Sequence, residues 1–185
     1  MEILLLIAVV VLVAGVILYN RLINSRNQVD TAWSDVDVQL QRRYDLIPNL
    51  VTAVDQYAKY EKATLEAVSE LRNQARQSQS VAERGDVEEQ LASGVHKLIA
   101  LAESYPDLKA NENFLQLQGE LVETEDYLQF ARRYYNASVR DYNIMVESVP
   151  SNLVASMFGF SQREFFQKAS DDVANVPLVN LGQVE

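Results

Sequence analysis

Residues Ile3–Tyr19 form a run of 17 without a charge or a strongly polar side chain. As a helix this run spans roughly 25 Å, just short of a bilayer's hydrocarbon core. Leu22 and Ile23 carry the apolar character past Asn20 and Arg21, and Arg21 is placed to snorkel. A cleaved signal peptide opens on basic residues and ends at a small-x-small site. This chain opens Met1-Glu2, and no such site precedes Asn20. A soluble core helix rarely runs so long without one polar position. The run therefore reads as a single transmembrane anchor, which makes the lipid bilayer the first expected partner. No Lys or Arg stands before it, while Arg21, Arg26, Arg42 and Arg43 follow. That bias places the following domain in the cytoplasm and the anchor in the inner (cytoplasmic) membrane, single-pass. The bias is small, so the opposite orientation stays open.

Beyond Asn20 the spacing is helical and strand alternation is rare. Only 6 Gly and 4 Pro occur in 185 residues, which argues against extended disorder and against a many-turned β-fold. Val29, Trp33, Val36, Leu40 and Tyr44 step by threes and fours. Pro48 is expected to kink this helix or start a new one. A second stripe follows in Leu50, Val54, Tyr57, Leu65, Val68 and Leu71, up to polar Gln77-Ser78-Gln79-Ser80. Gly85-Asp86 marks the next expected boundary, with Asp86 and Glu89 spaced as a capping box. Val87, Leu91, Val95, Leu98, Ala102 and Tyr105 make a third stripe. Ser104-Tyr105-Pro106-Asp107 reads as a turn with Asp107 as a cap. Phe114, Leu117, Leu121, Thr124, Leu128, Ala131, Tyr135, Ser138, Tyr142, Met145 and Val149 then alternate threes and fours as a heptad seam. Leu115, Val122, Val139 and Val146 widen it, as packing against two neighbours requires. Pro150 ends this helix.

The fold expected is all-α: the anchor runs without Gly or Pro into an antiparallel up-and-down four-helix bundle with a short apolar C-terminal tail. The domains are 1–23 (anchor), 24–150 (bundle) and 151–185 (tail with short helices). In the tail, Asn152–Phe160 is apolar, and Ser161 with Glu164 is spaced to cap one more turn carrying Phe165 and Phe166. Val176–Leu181 is too short to span a membrane. Two readings stand for the tail: it folds back over the bundle, or it touches the bilayer or a neighbouring subunit.

The charge balance and residue inventory exclude several chemistries. Asp and Glu number 26 against 16 Lys and Arg, a net charge of −10, so a nucleic-acid partner is not expected. Cys is absent, which removes disulfides, thiolate metal sites and Cys nucleophiles. Di-iron bundles need Glu-x-x-His on two helices. Here His96 is the sole histidine and Ser93 stands three before it, so His96 reads as a surface or boundary residue and no metal is expected. No Gly-x-Ser-x-Gly turn and no clustered phosphate-binding glycines occur. No cofactor is expected, and the chain does not read as an enzyme.

Two polar clusters remain as candidate interaction sites. One is Arg42, Arg43, Asp45 and Asn49 around Pro48. A proline leaves a carbonyl without its helical partner, and Arg donors suit that vacancy. The other is Arg132 and Arg133 with Asn136 and Asn143. Each reads either as a brace between helices or as a partner contact. A buried Arg needs a carboxylate, and Asp45, Glu61, Glu103 and Asp126 are the candidates weighed. Phe158, Phe160, Phe165 and Phe166 are the apolar candidates in the tail. Trp33, Tyr57, Tyr105, Tyr135 and Tyr142 lie on helical stripes and read as packing residues.

Several of these landmarks carry a resemblance. Arg26–Val29, Ala32–Leu40 and Arg42–Val51, then Glu103–Asn111, Phe114–Gln118 and Glu125-Asp126, resemble the LemA family. Arg132–Asn136, Tyr142-Asn143 and Phe158–Phe160 complete the match, which covers nearly the whole chain in order. The resemblance implies an N-terminally anchored bacterial membrane protein with a mostly helical up-and-down bundle. It brings no mechanism, although some relatives are associated with building bacterial membrane compartments. The expected function is a non-enzymatic, membrane-anchored scaffold that self-associates as a homo-oligomer. The alternative is an adaptor that holds another membrane protein, such as a protease, transporter or sensor.

Overall fold

The computed structural model describes residues 1–58 and 60–166. Val176–Leu181, expected as an apolar end segment, lies outside the described residues. The described residues form six helices and no strand: α1 (Glu2–Asp55), α2 (Lys62–Gln77), α3 (Val81–Ala102), α4 (Pro106–Lys109), α5 (Glu112–Glu147) and α6 (Ser151–Met157). The fold is all-α.

α1 is the spine. Its 54 residues make a rod of roughly 80 Å, apolar and exposed over the first half and a packing helix over the second. Leu22, Val29, Ala32, Val36, Leu40, Ile47, Leu50 and Val54 are its buried apolar face. Pro48 lies inside α1 and starts no new helix. The break comes instead after Asp55, with residues 56 and 57 in a turn and Ala58 fully buried. No Gly or Pro marks this turn; the chain must reverse there so that α2 can cover the far half of α1.

α5 runs antiparallel along α1, so that Gln28 reaches Tyr134 and Arg42 reaches Glu123. The α2–α3 hairpin packs on the half of α1 beyond Asp37. Gly94 sets how close the two hairpin helices come, because a Cβ there would meet Val68 Cγ2 at 2.9 Å. The start of α3 differs from the expected Gly85-Asp86 boundary. Ser80 Oγ accepts from the Glu83 amide at 3.1 Å, and the Glu83 carboxylate accepts from the Gln79 amide at 3.2 Å. This reciprocal cap satisfies the helix start five residues early, and Gly85 is buried inside α3. Asp107 likewise sits in the first turn of α4, whereas the cap of α5 is Asn111, which accepts from the Asn113 and Phe114 amides.

The seam of α5 is buried at Phe114, Leu117, Leu121, Thr124, Leu128, Tyr135, Ser138 and Tyr142. Of the four residues expected to widen it, Val139 is buried and Val146 half-buried, whereas Leu115 and Val122 are 50% and 55% exposed. The first half of α5 packs chiefly on α1, and the hairpin, which packs on α1, leaves that flank open. Val149 is 78% exposed, beyond the helix end. No helix forms over Ser161–Phe166, where an extended segment replaces the extra turn expected from Ser161 and Glu164.

Candidate functional site

A charged cluster sits where α1, α3 and α5 meet. Arg43 Nη1 lies 3.2 Å from Glu88 Oε2 and 3.1 Å from Glu125 Oε2. The Tyr44 hydroxyl donates to Glu88 Oε1 at 2.6 Å, and Arg132 Nη2 approaches Glu88 Oε2 at 3.7 Å. Glu88 is fully buried and Arg43 is 4% exposed, so neither charge is tolerable without the other. Burial pushes the Glu88 carboxyl above its usual value of 4.5, against the opposing pull of Arg43 and the Tyr44 hydrogen bond. Burial also holds the Arg132 guanidinium below its usual range and the Tyr44 hydroxyl far above its own. The carboxylates that meet Arg43 are therefore Glu88 and Glu125, not Asp45, Glu61, Glu103 or Asp126. The missed signal was periodic: Glu88 stands in register with Leu91, Val95, Leu98 and Ala102, all buried on α3. A carboxylate on an apolar stripe needs a cation from another helix.

Pro48 explains a second contact. Its missing N–H leaves the Tyr44 carbonyl, four residues earlier, without a helical donor. Arg72 Nε on α2 donates to that carbonyl at 2.7 Å. The expected Arg donor exists, but it comes from α2 and not from Arg42 or Arg43. With the carbonyl satisfied, α1 continues to Asp55 and the hairpin is fixed to it at that height.

Two asparagines on α5 hold the tail. Asn136 accepts from the Phe166 amide at 2.9 Å and donates to its carbonyl at 3.0 Å. Asn143 does the same for Arg163, at 2.9 and 3.0 Å. Seven helical residues rise about 10.5 Å, and three extended residues cover about 10 Å. The two side-chain amides thus match residues 163 and 166 of an extended chain. Tyr135 Oη donates to the Glu164 carbonyl at 2.8 Å, and Arg163 meets Asp30 at 2.9 Å. Phe166, 1% exposed, closes the contact: Trp33 lies 5.9 Å from it centre to centre, and Arg132 Cζ stands 4.8 Å over its ring. Residues 161–166 fold back on their own bundle.

The other candidate residues are dispersed. Arg42 is half-exposed and 3.8 Å from Glu123; Asp45 accepts from Gln41 at 2.8 Å. Asn49 lines a shallow cleft of about 450 Å³ at the far end, with Thr52, Gln56 and Glu120. Arg133 is exposed over Phe130, and Phe165 is 41% exposed. Phe158 and Phe160 lie beside the apolar part of α1, with ring centres 4.8 and 5.8 Å from Tyr19. His96 is exposed. Among the described residues no group of three or more His, Asp or Glu converges as a metal site.

Comparison with known proteins agrees with this architecture. The sequence model of the LemA family matches residues 32–181. Magnetosome protein MamQ 2 of Paramagnetospirillum magneticum is 25% identical over 176 residues, 81% of this chain and 65% of the relative. Magnetosome protein MamQ of Magnetospirillum gryphiswaldense is 23% identical over the same share. Protein LemA of Metamycoplasma hominis is 25% identical over 159 residues, 85% of this chain and 72% of the relative. The chain spans about 65% of the length of the magnetosome relatives. It belongs to the LemA family.

Proposed function

We propose that this member of the LemA family is a membrane-anchored, non-enzymatic helical scaffold that self-associates. The observation that carries this reading is the continuity of α1. One helix serves as the apolar anchor in its first half and as the packing spine of the bundle in its second. A helix without a hinge transmits position, so bundles on neighbouring anchors hold a fixed height and direction. Arg21 and Arg26 at the bundle end of the anchor favour a cytoplasmic bundle in the inner membrane.

A second copy is the partner this surface suits. On the side of the α1–α5 pair, Val38, Tyr127, Phe130 and Tyr134 are 62%, 49%, 63% and 49% exposed. Exposed aromatic groups at this density mark contact surfaces. The curated relatives named as magnetosome proteins support a role in membrane organisation. The buried Arg43–Glu88 cluster is closed by its own ion pairs and serves as a brace in this reading.

The deciding experiment is the mass of the intact protein in mild detergent by light scattering. A discrete multiple of the 20.9 kDa chain supports the scaffold. A single-chain mass across a wide concentration range overturns it.

A further inference from the structure

α6 is seven residues long, and it docks on the anchor rather than on the bundle core alone. It lies along the Val11–Tyr19 stretch of α1, with Leu153, Val154, Met157 and Phe158 forming the facing wall of a cleft. Its outer face is apolar and open: Val149 and Met157 are each 78% exposed, Leu153 65% and Phe158 58%. No charged residue occurs between Glu147 and Arg163.

The depth of this docking names the occupant. A hydrocarbon core of about 30 Å takes roughly 20 helical residues, and the uncharged run of α1 supplies 17. An anchor that spans the core therefore places the bilayer boundary beyond Tyr19, near Leu22 and Ile23. An element packed against Val11–Tyr19 then sits within the apolar slab. Polar and charged contacts collect where the tail leaves the anchor. Arg26 stacks over Phe160 at 5.4 Å, Arg163 meets Asp30 at 2.9 Å, and Gln162 donates to Glu147.

The two serine hydroxyls of α6 are closed on the backbone. Ser151 Oγ donates to the Ser148 carbonyl at 2.9 Å, and Ser156 Oγ to the Leu153 carbonyl at 3.0 Å. Past the helix, Gly159 takes φ 71°, and the Phe160 amide returns to the Ala155 carbonyl at 2.9 Å. Hydroxyls and helix ends satisfied internally are what a lipid environment demands.

We propose that α6 with its flanks, Val149–Phe160, is a second membrane element: an apolar wedge seated in the acyl-chain region beside the anchor. The proposal rests on the anchor reading above. The wedge widens the protein's footprint on the bundle side of the membrane and fixes the rotation of α1 relative to the bilayer plane.

The chain has no Cys, so single-cysteine variants test this directly in the full-length protein. Met157→Cys, Val10→Cys in the anchor and Val122→Cys on exposed α5 are reconstituted in phosphatidylcholine–phosphatidylglycerol vesicles. Each is treated with a membrane-impermeant maleimide. Parallel samples carry an environment-sensitive fluorophore and lipids with nitroxides on their acyl chains. The expected result is that Val10→Cys and Met157→Cys both label at least about tenfold more slowly than Val122→Cys, and that lipid nitroxides quench both. Met157→Cys labelling as fast as Val122→Cys, with Val10→Cys protected and quenched, overturns the wedge and leaves the anchor standing. Met157→Cys protected without lipid quenching also overturns it, because protein then covers the face. Val10→Cys unprotected and unquenched overturns the anchor, and the wedge with it.

Discussion

At the residue scale the buried carboxylate decides most. Glu88→Ala strips Arg43 and Arg132 of a shared partner and leaves the Tyr44 hydroxyl without its acceptor. A loss of about 3–5 kcal/mol in unfolding free energy is expected, as for other broken buried pairs. Glu88→Gln keeps an acceptor for Tyr44 and is expected to cost less, about 1–2 kcal/mol. The pH dependence has a definite sign. The folded state holds the Glu88 proton to a higher pH than the unfolded chain, so in that window the folded state binds more protons. Stability from this group is thus present below the usual carboxyl value of 4.5 and lost as pH rises through the raised folded value. Urea unfolding across pH, wild type against Glu88→Gln, reads this directly: the variant lacks that share of the fall. A parallel rise in both profiles would contradict the assignment. Pro48 and Arg72 form a second testable pair. Arg72→Met orphans the Tyr44 carbonyl at an expected cost of about 1–3 kcal/mol. Pro48→Ala restores the helical donor to that carbonyl, so the same Arg72→Met change costs clearly less in that background. Equal costs in a double-mutant cycle would show that the two residues act independently.

At the element scale the weakest links are the tail and its asparagine clamps. The extended segment 161–166 makes no helix and is held by two amide side chains, one tyrosine hydroxyl and the Phe166 ring. Asn136→Ala and Asn143→Ala are each expected to cost about 1 kcal/mol per hydrogen bond lost. Their main signature is local: hydrogen exchange at Arg163 and Phe166 speeds up while that of α5 holds. Acceleration throughout α5 would instead make the tail inseparable from the core. These contacts were half-visible in advance. Asn136 and Asn143 stood out as an ambiguous pair, and seven-residue spacing put them on one face. Their partner was hidden, because an extended segment leaves no periodic trace. The start of α3 shows the reverse: Ser80 and Glu83 had capping spacing, and Gly85 drew attention away from it. Glycine inside a helix is a modest cost that burial outweighed.

At the scale of the whole molecule the protein is a long helix, apolar enough over its first part to cross a membrane, with a hairpin and residues 161–166 folded onto its second part. Assembly is expected to use the open aromatic face of α1 and α5. Phe130→Glu places a charge at its centre, where Phe130 is 63% exposed. It should therefore reduce the detergent-solubilised mass toward one chain while the circular dichroism spectrum is unchanged. An unaltered mass would move the contact to another surface. In the proposed arrangement the height of the bundle and the depth of α6 both depend on α1 being one piece.

The sequence by itself determined the all-α class, the apolar anchor, its unbroken passage into the bundle and the buried seam of α5. These depend on local periodicity and on side-chain length against bilayer thickness, which are properties of neighbours along the chain. Only the tertiary structure decided which carboxylates answer Arg43, which arginine answers the carbonyl freed by Pro48, and where the tail lies. It also decided that α1 ends at Asp55 rather than at Pro48, because covering its far half requires the reversal there. Such pairings join residues 20 to 133 positions apart. At that separation the choice among many chemically equal partners is made by packing, since burial cost favours the geometry that pairs Glu88 with Arg43 and the Tyr44 carbonyl with Arg72.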